Sequence, residues 1–160
     1  GDIEASWYVK GDNPPLYAEI PTRAGATAHL SSVICYDADN SRFVAGTDDK
    51  TDFLIVPAWC WDGSDTFQSL VMPFRAIENN VALTSATVDA KSVTSDWMGS
   101  IIATSDEETL GRDGLNFVNV PICEKSVRTP YHFYATALSW LYPVMTLLLL
   151  VLAFRKKKAQ

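Results

Sequence analysis

From Thr129 to Phe154 the chain carries no Asp, Glu, Lys or Arg. Ala137 to Phe154 is nearly all apolar, Leu147 to Leu152 is unbroken aliphatic, and Arg155, Lys156, Lys157 and Lys158 follow at once. About 20 apolar residues in a helix cross a hydrocarbon core of about 30 Å. Soluble helices of that length show a polar stripe, and this run has none. It therefore reads as one transmembrane helix over 129–154, with the basic tail 155–160 as a stop-transfer signal. Tyr131, Phe133, Tyr134, Trp140 and Tyr142 crowd its first half, where amphipathic rings suit the headgroup level. Pro143 lies inside the run. A helix starting there would reach only about 18 Å before Arg155, so the helix starts near Thr129 or Tyr134 and passes through the proline. Lipid-embedded helices tolerate this when neighbours re-satisfy the freed carbonyl. Pro143 marks a plain kink or a contact with another membrane subunit.

Charge orients such an anchor. All 19 acidic residues precede residue 129, against nine Lys and Arg, which leaves −10 on that side and +4 on the tail. Positive flanks stay cytoplasmic. The expected topology is an external or lumenal domain over 1–128 and a short cytoplasmic tail. The opening Gly1-Asp2-Ile3-Glu4 is polar and lacks Met, which suggests a processed precursor, a polyprotein fragment or an expression product. Lys157-Lys158-Ala159-Gln160 resembles the dilysine retrieval signal of type I membrane proteins of the endoplasmic reticulum, an address read by a receptor.

A stretch of 128 residues is enough for one domain with its own core. Basic clusters are missing from it, so nucleic acid is not an expected partner. Short runs rich in Val, Ile, Thr and aromatics alternate with turn residues. The candidate strands are 6–10, 16–22, 27–36, 42–47, 53–61, 67–77, 81–88, 97–104 and 115–123. Residues 67–77 could instead form a short helix, but Pro73 argues against a long one. Seven to nine short strands at this spacing predict an all-β, sandwich-like domain, although the Cys and Trp spacing of immunoglobulin domains is missing. In 53–61, Phe53, Ile55, Trp59 and Trp61 would face one way and Leu54, Val56, Ala58 and Cys60 the other. Both faces are apolar, so the strand is covered twice. Trp59 and Trp61, with Pro143, are the candidate partner contacts.

Cys35, Cys60 and Cys123 lie in what should be an oxidising compartment. They are disulfide candidates, with Cys35–Cys60 and Cys60–Cys123 as alternatives and one thiol left over. Catalytic patterns are thin. His29 and His132 have no second histidine at ligand spacing. Asp37-x-Asp39-Asn40 hints at calcium, yet Arg42 and Asp48 replace the Gly and Glu of an EF-hand loop. Asp62-Gly63-Ser64-Asp65 and Ser105-Asp106-Glu107-Glu108 read as solvated turns. Phosphate-binding loops and a GxSxG turn are missing. No catalytic residue, metal site or cofactor is expected. The sequence predicts a non-catalytic structural or interaction subunit of a membrane assembly, partnered by the bilayer and by other membrane-protein subunits. Alternatives are a viral or bacterial envelope component and the binding module of a membrane enzyme.

Overall fold

A computed structural model describes residues 17–47, 49–60, 65–105, 117–123 and 128–158. Six strands form one mixed sheet in the order of the sequence: β1 (Tyr17–Pro21), β2 (Thr27–Ser32), β3 (Phe53–Trp59), β4 (Ala82–Val88), β5 (Ser92–Ser95) and β6 (Ile101–Ser105). The central pairs β2–β3 and β3–β4 are parallel, and the pairs outside them are antiparallel. Parallel neighbours need crossover connections, usually helical. Between β2 and β3 run a 3-10 helix (Cys35–Asp39) and α1 (Ser41–Ala45), and between β3 and β4 runs α2 (Asp65–Asn79). Right-handed crossovers along one strand order put both connections on the same face of the sheet, and α1 packs beside α2.

The core lies between that helical layer and the sheet. Val33, Ala38, Val44, Leu54, Val56, Met72, Ala76, Val81 and Leu83 form it, each at most 2% exposed. Leu54 and Val56 of β3 project from the sheet on the same side as Leu83 of β4, as strand alternation requires.

The all-β sandwich does not hold. The chain is a mixed sheet with a helical layer, and two expected strands are helices. Residues 42–47 fall largely in α1, which Asn40 caps by accepting the Phe43 amide at 3.2 Å. Residues 67–77 fall inside α2, a 15-residue helix that runs through Pro73. Gln68, Met72, Ala76 and Asn79 are its buried stripe, at the spacing of one helix face. Its outward stripe, Phe67, Leu70, Phe74 and Ile77, is also apolar. That second stripe hides the helical period from a reading of polarity. Burial of Met72 and Ala76 outweighs the hydrogen bond lost at Pro73, whose usual cost is about 3 kcal/mol. Asn80 (φ +53°) ends α2 in the left-handed conformation, with Asn80 N–H bonded to the Ile77 carbonyl and Val81 N–H to that of Ala76. This is the Schellman closure. Strand β5 lies in a segment not read as a strand, residues 117–123 hold no strand, and the candidate at 6–10 lies outside the described residues.

The C-terminal helix α3 (Pro130–Lys158) is continuous through Pro143. Arg128 donates to the Asn79 carbonyl at 2.9 Å and Thr129 to that of Glu78, so the segment leading into α3 is tied to the end of α2. A cationic donor suits the last carbonyls of a helix. The first part of α3 lies against α1 and α2. Within α3, Ala137–Arg155 is long and apolar enough to cross a membrane, with a mean hydropathy of 2.1 and none of that window buried.

Candidate active site at the Cys35 turn

Three chain segments leave the parallel strands at one edge of the sheet. In open sheets of this kind, ligands bind outside the carboxyl ends of the strands. After β2 the chain stays extended through Val33, whose N–H bonds to the Ile55 carbonyl at 3.1 Å. Ile34 is also extended, with φ −112° and ψ 125°. Cys35 then turns sharply, with φ +49°, and opens the 3-10 helix. Left-handed φ is uncommon outside Gly, Asn and Asp. Such outliers persist only where surrounding structure enforces them, and they cluster at functional sites.

Several contacts enforce this one. Asp37 N–H closes the turn on the Ile34 carbonyl at 3.0 Å. Arg75 of α2 donates its Nε to the Ala38 carbonyl at 2.9 Å and pairs with Glu78 one turn on. The guanidinium therefore pins the 3-10 helix to α2. Ala38 and Val44 are fully buried beneath it. Burial pushes the Asp39 carboxyl above its ordinary range, and the positive charge of Arg75 opposes the shift.

The Cys35 thiol is half-buried and donates to the backbone carbonyl of Trp59 at 3.6 Å. This brings the turn after β2 against the last residue of β3. Among the described residues, no His, Lys or carboxylate is hydrogen-bonded to that thiol. The Trp59 side chain is 64% exposed, and its Nε1 donates to Asp89 Oδ2 at 2.7 Å. Asp89 follows β4 and has φ +60°. Val88, the register partner of Trp59, is exposed as well.

The other sequence candidates are scattered. Cys60 is buried and donates to Gln68 of α2, while Cys123 accepts from Asn80 at 3.9 Å. No disulfide joins Cys35, Cys60 and Cys123. Trp61 lies outside the described residues. Pro143 and Arg155 to Lys158 lie in α3, far along the chain from the Cys35 turn. His29 sits between two carboxylates, with Asp52 at 3.0 Å and Glu19 at 3.6 Å, and the ring of Tyr17 meets it edge-on. Among the described residues, no group of three His, Cys, Asp or Glu side chains is placed to hold a metal.

By sequence Cys35 is one of three disulfide candidates, and the signal for a nucleophile there is local. Ile34-Cys35-Tyr36-Asp37 puts a cysteine where a hydrophobic strand run gives way to polar turn residues. A nucleophile on a strand-to-helix turn occupies that position.

No protein-family model and no curated protein matches the chain. Solved structures do. The chain is similar to the amidase from Nesterenkonia sp. AN1 after removal of its tag, at 22% identity and a TM-score of 0.54, over 64% of this chain and 42% of that one. It is similar at the same TM-score and 21% identity, over 64% and 41%, to a cysteine-to-serine mutant of that amidase, described as belonging to the nitrilase superfamily. In a third structure, with a TM-score of 0.55, 22% identity and coverage of 64% and 41%, the acetamide moiety of fluoroacetamide is covalently added at the active-site cysteine. The chain thus spans about two-fifths of the length of the structures it matches. The likeness corrects two expectations, that of a β-sandwich and that of a non-catalytic membrane subunit, because the described domain has the fold of amidases that work through a cysteine.

Proposed function

We propose that this chain carries the nucleophile-bearing part of a cysteine-dependent amide hydrolase, or of an acyl transferase using the same step, with Cys35 as nucleophile. The observation that carries this reading is the left-handed Cys35 turn at the carboxyl end of a central parallel strand. The thiol loses its proton to a base and its sulfur attacks the amide carbonyl carbon. The resulting tetrahedral adduct collapses to a thioester as the protonated amine leaves. Water or an acceptor amine then attacks the thioester, takes the acyl group and returns the thiol. The base stands outside the described contacts of Cys35. The Tyr36 amide, next in sequence after the nucleophile, would be the donor to the developing oxyanion.

Rapid, site-selective alkylation of Cys35 and ammonia release from butyramide test the reading. Cys35→Ala should abolish ammonia release. Retained release, or a Cys35 thiol that reacts no faster than free N-acetylcysteine, would sink it.

Helix α3 supports a membrane location for this activity. With Ala137–Arg155 in the bilayer, the −10 carried before residue 129 and the +4 of residues 155–158 favour a lumenal or extracellular domain. Protease treatment of sealed vesicles reads the topology: digestion of the domain from the cytoplasmic face would exclude it.

A further inference from the structure

Trp59 is too exposed to be a core residue and too constrained to be an incidental surface ring. At 64% exposure it contributes little to the interior, yet its indole N–H makes a 2.7 Å bond to a carboxylate just past the end of the next strand. Hydrogen bonds to an ionised acceptor are stronger than neutral ones. The acceptor, Asp89, is itself held at φ +60°, a conformation that Asp enters more easily than most residues. Two strand ends therefore cooperate to set one ring angle. The backbone carbonyl of that tryptophan receives the Cys35 thiol.

The surroundings specify what such a ring meets. Ile34 precedes Cys35 and is 65% exposed, and Val88 lies across from Trp59 and is 60% exposed. Large apolar side chains thus end all three central strands at the edge that holds the thiol. Asp89 already accepts the indole N–H, so its carboxylate serves the ring. Grouped exposed apolar residues mark binding surfaces more often than chance allows.

We infer that Trp59, oriented by Asp89, is the platform against which an apolar or flat substituent of the acyl substrate lies during reaction at Cys35. Trp59 is a specificity-determining residue and Asp89 a positioning residue. This rests on the reading of Cys35 as the nucleophile, and the two are separated by what each measurement reports.

The full chain is treated with iodoacetamide and, in parallel, with N-benzyl iodoacetamide, and alkylation of the Cys35 peptide is timed by mass spectrometry. The rate with iodoacetamide, set against free N-acetylcysteine, reports on the nucleophile. The ratio of the benzyl to the small reagent reports on the platform, and it is measurable even for an ordinary thiol. Contact with an aromatic ring is worth about 0.5–1.5 kcal/mol, so Trp59→Ala should lower the ratio by about 2- to 12-fold. Trp59→Phe should keep most of the preference. Asp89→Ala should lose part of it, because the ring is no longer held. Should Trp59→Ala fail to fold, Trp59→Phe and Asp89→Ala decide the matter. A ratio unchanged in Trp59→Ala, or in Asp89→Ala where Trp59→Ala does not fold, or both reagents slowed together, overturns the proposal. A ring covered by other protein would give one of those two results.

Discussion

Releasing the backbone strain at Cys35 should stabilise the protein while removing its reactive group. The test compares Cys35→Gly with Cys35→Ala, since both lose the thiol and its bond to the Trp59 carbonyl. They differ only in how readily residue 35 adopts φ +49°. An L-residue in the left-handed region costs about 1–2 kcal/mol. Glycine avoids that cost but loses more freedom on folding, about 0.5–1 kcal/mol. The expected net advantage of glycine over alanine is about 0.5–1 kcal/mol. For a chain of this size, 1 kcal/mol moves the melting temperature by about 2–4 °C, so glycine should melt about 1–4 °C above alanine. Circular dichroism at 222 nm, followed through thermal unfolding in detergent, reads the difference. Wild type should melt near the alanine variant, because cysteine bears the same strain. If glycine melts at or below alanine, the turn is not strained, and the observation that carries the functional reading is lost.

Two further outcomes follow from the groups around the turn. Arg75→Met removes the guanidinium from the Ala38 carbonyl and from Glu78, and should cost about 1.5–3 kcal/mol in urea unfolding. It should also slow Cys35 alkylation, and Arg75→Lys should restore only part of either, since one ammonium cannot reproduce the planar fork; unchanged alkylation would refute the link between Arg75 and the turn. Asp39 tests pH dependence, because burial raises its carboxyl above 3.8. The folded state then holds that proton more tightly than the unfolded state. Its contribution is complete below 3.8 and is lost as the pH rises through the raised value. Asp39→Asn should therefore raise the melting temperature at pH 7, with the gain shrinking as the pH falls towards 3.8. A loss of stability at pH 7 would show that the ionised carboxylate makes a net favourable contact with Arg75.

Local composition was enough to mark some elements. The charge-free run from Thr129 to Phe154 becomes the helix that could cross a membrane, because one dominant property extends over many residues and needs no tertiary help. Strands β3 and β4 were legible for a similar reason: Leu54, Val56 and Leu83 sit in short β-branched runs bounded by turns. Other assignments were decided in three dimensions. Residues 67–77 carry apolar side chains on both stripes, and only burial of Met72 and Ala76 against the sheet selects the helix over a strand. Parallel pairing of β2, β3 and β4 follows from packing those crossovers on one face, which strand propensity does not encode. Cys35 illustrates the limit most directly. Its residue type is visible in the sequence, but its reading as a nucleophile depends on φ and on the Trp59 carbonyl, 24 residues away. Sequence alone determined where the apolar mass lies; the tertiary structure decided which strand ends meet, and so which thiol stands at the edge where a ligand would bind.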